Sequence, residues 1–180
     1  MQKTKIIFIG GVPGSGKTTL SKHISLLFNI DKVINLDLFK QFLSPFLDDN
    51  TYFNTTTHNA YKIENLDYIT GFKKHSESVL NEFIKYKNIL KKESILIIEG
   101  AQLTPDIIYM FSDFDILYFN LNGDKDSLIY RYNNRTRQSN WIENIDCILS
   151  IQEYLSKFDV IQVYNNNINL DIIKNFINNY

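Results

Sequence analysis

The chain has 180 residues, 44% of them hydrophobic, and 19 Lys and Arg against 20 Asp and Glu give a formal charge of −1. That length and apolar content fit one α/β-sized domain with its own core and exclude a disordered chain. Near-neutral charge removes any general attraction to nucleic acid, no apolar run reaches membrane-spanning length, and the lone Cys147 rules out a disulfide framework and fits a reducing, cytoplasmic setting.

Met1 to Lys5 lead directly into the first β-like run, so no cleavable signal is expected. Five short runs rich in branched and aromatic residues read as strands buried on both faces: 5–9, 32–36, 94–98, 114–121 and 160–164. Helical spacing falls between them, over 18–28, 38–47, 66–92, 105–111, 124–157 (two helices) and 169–178. Pro105 after Thr104 reads as a helix start. The polar stretch 48–59 reads as a loop. Alternation of this kind predicts a parallel sheet with helices on both faces in a single domain over residues 1–180.

Four of the seven glycines fall within residues 10–16, in Ile6-Ile7-Phe8-Ile9-Gly10-Gly11-Val12-Pro13-Gly14-Ser15-Gly16-Lys17-Thr18-Thr19. From Gly11 to Thr18 this run fits the phosphate-binding pattern G-x-x-x-x-G-K-[ST]. Strand, glycine-rich loop and helix follow in the order the pattern needs. Gly11, Gly14 and Gly16 allow the backbone to curl with its N–H groups inward. Lys17 is then placed for the β- and γ-phosphates, Thr18 for Mg²⁺, and the helix N-terminus for the anion. The implied ligands are a nucleoside triphosphate, ATP, and Mg²⁺, held by Gly11, Pro13, Gly14, Ser15, Gly16, Lys17, Thr18 and Thr19.

Asp37 lies at the carboxyl end of the second strand, where parallel sheets place ligands. It can accept a proton from an attacking hydroxyl, or cap the helix after it. Lys40, one turn on, shares its side and can hold an anionic substrate. The apolar run Ile95-Leu96-Ile97-Ile98 ends in Glu99, an acid suited to the metal and its waters, and Gly100, which permits close backbone approach. Arg131, Arg135 and Arg137 are the chain's only arginines. Their guanidinium forks suit phosphoryl oxygens, and polar flanks give the stretch 122–140 the character of a closing lid. His58 and His75 are weaker candidates for touching substrate.

With these residues in place, the chain resembles the 2-phosphoglycerate kinase family of small P-loop kinases. The likeness rests on the phosphate loop, on Gly71-Phe72-Lys73-Lys74-His75-Ser76-Glu77-Ser78-Val79, on Ile97-Ile98-Glu99-Gly100-Ala101-Gln102-Leu103-Thr104-Pro105, on Ile151-Gln152-Glu153-Tyr154-Leu155, and on Thr56-Thr57-His58-Asn59-Ala60. The resemblance implies the P-loop NTPase fold, a five-stranded sheet of order 2-3-1-4-5, and an arginine-bearing helical lid. It also implies ATP-dependent phosphorylation of a small anionic alcohol, with adenine near Asn165. Substrate would lie over residues 37–75 and beyond, touching Asp37, Lys40, Thr56, Thr57, His75, Gly100 and Gln102. The family usually carries Arg in place of Lys40 and His in place of Gln102, and longer members carry an extra N-terminal region; the first two departures fall where substrate is read. Alternatives built from the same parts are a polynucleotide 5′-kinase, a toxin-like sugar-nucleotide kinase, and a nucleotide-binding regulatory module without transfer activity.

Overall fold

In the computed structural model the strands β1 (Lys5–Gly11), β2 (Val33–Asn35), β3 (Ile95–Glu99), β4 (Asp115–Asn122) and β5 (Ile161–Tyr164) form one parallel sheet. Residues 3–47, 51–133, 144–164 and 167–178 are described. The strand order is β2-β3-β1-β4-β5, the 2-3-1-4-5 order expected. β1 is central, pairing Ile7 with Ile97 on one side and with Leu117 on the other. Its seven residues are all buried. Period-two alternation sends Ile6 and Phe8 into a cluster with Leu36, Leu80, Phe83 and Phe111, while Ile7 and Ile9 join Leu20, Ile24, Phe119 and Ile173 on the opposite face. Burial of both faces explains why β1 and β3 read as continuous apolar runs, whereas the edge strands β2 and β5, expected to be buried on both faces, are half-buried or exposed along most of their length because each has a neighbour on one side only.

The helices are α1 (Lys17–Phe28), α2 (Leu36–Leu43), α3 (Thr51–Asn54), α4 (Tyr68–Phe83), α5 (Lys87–Leu90), α6 (Lys125–Asn133), α7 (Ile145–Ser156) and α8 (Leu170–Asn178). α1 ends where Asn29 takes the left-handed conformation at φ 52°, a position Asn tolerates better than most residues. α4 begins at Asp67, whose carboxylate accepts from the Ile69 and Thr70 N–H groups at 3.0 and 2.9 Å.

Several boundaries differ from the sequence reading. The long segment 66–92 divides into α4, a 3₁₀ turn at Ile84–Tyr86 and α5. Residues Pro105–Phe111 are 3₁₀, not α-helix, although Pro105 does open the element. Within the stretch expected to be a loop, Thr51–Asn54 forms a helical turn because Phe53 is fully buried there. A third apolar cluster joins Val12 of the glycine-rich loop to Phe72 of α4, Leu128 of α6 and Ile148, Ile151 and Leu155 of α7. The loop is therefore seated directly on the helices that flank it. No helix among the described residues is long and apolar enough to cross a membrane.

Candidate active site

The loop between β1 and α1 has the backbone geometry its glycines permit. Gly11 sits at φ +129°, and a Cβ there would lie 2.4 Å from the Leu121 carbonyl oxygen, so both the dihedral and the space demand glycine. Gly16, at φ +103°, leads into α1, and no side chain caps that helix. The N-terminal end of α1 thus meets the loop with no side-chain cap, an arrangement suited to an anion. Lys17 is buried and donates from Nζ to the Val12 carbonyl at 2.9 Å. Ser15 Oγ is buried without a hydrogen-bond partner among the described residues, an unusual condition for a hydroxyl that an incoming anion would relieve.

Glu99, the last residue of β3, is 2% exposed. Its Oε1 accepts from Thr18 Oγ1 at 2.9 Å and from Asn35 Nδ2 at 2.5 Å. A buried carboxylate needs such donors. Asn35 also caps α2, its Oδ1 accepting from the Leu38 N–H at 2.7 Å. The capping role weighed for Asp37 therefore belongs to Asn35, and Asp37 sits in the first turn of α2 instead. Asn35 is a site residue that sequence reasoning missed, although Asn immediately before an apolar helical run is a capping signal.

Glu99, Thr18 and Lys17 open onto a cavity of about 330 Å³, which is also lined by Pro13, Gly14, Asp37, Lys40, Thr56, Thr57 and His58. Lys40 donates to the Thr55 carbonyl at 2.6 Å. Burial lowers its pKa and Asp37 partly restores it. Burial also lowers the pKa of His58, helped by the positive charges of Lys62 and Lys40. The cavity thus joins the phosphate loop to Lys40 and to a His58 whose lowered pKa favours the neutral ring. Asp37, Lys40, Thr56 and Thr57, expected at the substrate, all line it.

His75, Gln102 and Gly100 do not line the cavity; they lie behind it. His75 and Gln102 are both 0% exposed. Gln102 Nε2 donates to Asp37 Oδ1 at 2.6 Å. A Cβ on Gly100 would meet Gln102 Oε1 and Leu36 Cβ at 2.8 Å each, so this glycine is required for packing behind Asp37. Arg131 reaches from α6 to the loop, donating to the carbonyls of Ser15 at 3.2 Å and Gly14 at 3.4 Å. Arg135, Arg137 and Asn165 lie outside the described residues.

The donor set suits magnesium. One hydroxyl and one carboxylate, with phosphate oxygens and water completing the shell, match its preference for oxygen ligands and few protein contacts. The described residues hold no cluster of three or more His, Cys, Asp or Glu that would make an all-protein metal site.

A parallel sheet of this order, with a glycine-rich loop running from its central strand into a helix, is the P-loop NTPase architecture. The chain belongs to the AAA domain family, whose match spans residues 7–149. It is similar to a 2-phosphoglycerate kinase of Pyrococcus furiosus, 28% identical over 167 residues, covering 84% of this chain and 55% of that protein. It is also similar to a mevalonate-3-phosphate 5-kinase of Thermoplasma acidophilum, 30% identical over 110 residues, covering 58% of this chain and 54% of the other. The chain spans a little over half the length of these curated relatives. A shikimate kinase structure from Bacteroides thetaiotaomicron superposes with a TM-score of 0.55 at 18% identity, over 99% of this chain and 96% of that one, which shows a shared fold.

Proposed function

We propose that the protein is an ATP-dependent kinase that phosphorylates a hydroxyl of a small anionic metabolite. One observation carries this reading: Lys17 and Thr18 of the phosphate loop, Glu99, Asp37 and the basic Lys40 line one cavity. A domain that only bound nucleotide would need the loop but not a carboxylate and a lysine facing it across a space of about 330 Å³. The chain's similarity to a 2-phosphoglycerate kinase and to a mevalonate-3-phosphate 5-kinase supports a phosphorylated alcohol as acceptor.

In this reading the N–H groups at the start of α1 and the Lys17 ammonium hold the phosphate chain, and Thr18 and Glu99 hold Mg²⁺ and its waters. Bound Mg²⁺ supplies charge neutralisation on the phosphate oxygens. Asp37 takes the proton of the acceptor hydroxyl as that oxygen bonds to the terminal phosphorus and the bond to the departing diphosphate breaks. Lys17, Arg131 and the lid arginines Arg135 and Arg137 stabilise the charge on the transferring group. Lys40, Thr56 and Thr57 bind the acceptor's anionic part, with lid residues 122–140 closing over the site and residues 37–75 forming the substrate side of one unit, 1–180. Asn165 serves the adenine. The free, buried Cys147 fits a cytoplasmic setting.

The test is transfer of labelled γ-phosphate, screened across glycerate phosphates, phosphorylated mevalonate, sugar nucleotides and 5′-hydroxyl oligonucleotides. Label on a phosphorylated small alcohol is the expected result. Label only on inorganic phosphate would refute the kinase reading, and label on oligonucleotides would refute the small-molecule acceptor.

A further inference from the structure

Behind the exposed Asp37 lies a chain of polar groups whose two middle side chains, His75 and Gln102, are fully buried. The Tyr52 carbonyl is 2.7 Å from His75 Nδ1. A carbonyl oxygen can only accept, so Nδ1 carries the proton and donates it. The opposite nitrogen, Nε2, is then bare and faces Gln102 Nε2 at 3.4 Å. The same amide nitrogen donates to Asp37 Oδ1 at 2.6 Å. Both N–H bonds of Gln102 are therefore committed, one to an imidazole lone pair and one to a carboxylate. Its Oε1 lies against Gly100, buried and without a hydrogen-bond partner among the described residues.

We infer that His75 is a positioning residue, which sets the direction of the Gln102 amide and through it the rotation of the Asp37 carboxylate. A Gln amide can turn over, exchanging oxygen and nitrogen with little change of shape. Turned over, Gln102 would set its oxygen against the Asp37 carboxylate and against the bare Nε2, three acceptors facing one another. In the seated direction, Asp37 Oδ1 is held from behind, and Oδ2 accepts no hydrogen bond among the described residues and is left to take the acceptor's proton. Burial lowers the His75 pKa to about 4, so the ring is neutral at physiological pH and Nε2 stays an acceptor. This role rests on the kinase reading, because it assigns His75 and Gln102 a task through Asp37 and not through contact with substrate.

Five variants and one spectrum test it. His75→Phe keeps the ring volume and removes the acceptor. Gln102→Met keeps the length and removes both donors. His75→Gln restores an acceptor oxygen. With an acceptor found in the screen, His75→Phe and Gln102→Met should each lower kcat about 10- to 100-fold while the KM for ATP holds. The double variant should be no worse than either single one, and His75→Gln should recover part of the loss. Ring nitrogen NMR of the unmodified protein should place the proton on Nδ1 and show a bare Nε2. A proton on Nε2 overturns the inference whether or not any variant folds. So does wild-type kcat in a folded His75→Phe protein, its fold judged by circular dichroism and by affinity for a non-hydrolysable ATP mimic. Asp37→Asn separates the two levels. Retained transfer in that variant refutes Asp37 as the base, whereas lost transfer there with full activity in His75→Phe refutes only the positioning role.

Discussion

Protonating His75 would place a charge in a site that water does not reach, and this has consequences for stability as well as for Asp37. Burial is the main cause of its lowered pKa, and the neighbouring charges of Lys40 and His58 push the same way, against the Tyr52 carbonyl and Asp37. In the unfolded chain an imidazole titrates near 6.5, in the native protein near 4. Between those values the unfolded chain binds a proton that the native state refuses. The contribution is therefore complete above pH 6.5 and declines as pH falls towards 4. Urea unfolding at pH 7.5 and 4.5 should show His75 accounting for roughly 2 to 3 kcal/mol of lost stability. His75→Phe should lack that part of the decline, and an equal decline in the variant would contradict a neutral buried ring. At this scale the sequence revealed identity but not direction. Asp37 was legible from its place at a strand end and Lys40 from its place one turn on, whereas Thr56 and Thr57 came only with the family resemblance. The tasks of Asn35, His75 and Gln102 were not legible, because a side chain's partner 27 or 64 positions away leaves no local pattern.

At the scale of elements, the strands were legible and the short helices were not. A strand buried on both faces imposes a continuous apolar run, which is hard to mistake once glycine and polar residues bound it. The single helical turn Thr51–Asn54 rests on one fully buried ring, Phe53, too little to impose a period. Gly71 in α4 shows what such packing demands. A Cβ there would lie 2.4 Å from Tyr61 Cα and 2.5 Å from Tyr61 N, so helix and 3₁₀ turn Ala60–Lys62 touch backbone to backbone. Alanine is the better helix former by about 1 kcal/mol, yet the clash is with main-chain atoms that cannot rotate away. Gly71→Ala should therefore destabilise the protein by roughly 1 to 3 kcal/mol, read from the urea midpoint. A gain in stability would show that the turn can retreat at little cost. Because Thr56, Thr57 and His58 precede that turn and line the cavity, the same substitution should also weaken acceptor binding.

For the molecule as a whole, the glycine-rich loop is the joint between three apolar clusters. β1 feeds both faces of the sheet, and Val12, one residue beyond it, packs with α4, α6 and α7. A ligand that orders the loop is thus gripped by structure that only the folded chain possesses. Binding to the native state alone raises stability by about 2.7 kcal/mol at a ligand concentration 100 times Kd. For a chain of this size each kcal/mol moves the melting temperature by about 2 to 4 °C. A non-hydrolysable ATP mimic with Mg²⁺ at that concentration should then raise Tm by roughly 5 to 10 °C. Lys17→Ala removes the ammonium but leaves the glycines and the start of α1 in place. At the same ligand concentration it should lose most of the shift while melting without ligand within a few degrees of the unmodified protein. Equal shifts in both proteins would mean that the mimic binds somewhere other than the loop. A Lys17→Ala chain that fails to fold would mean that its bond to the Val12 carbonyl at 2.9 Å, and not a phosphate, is what that lysine is for.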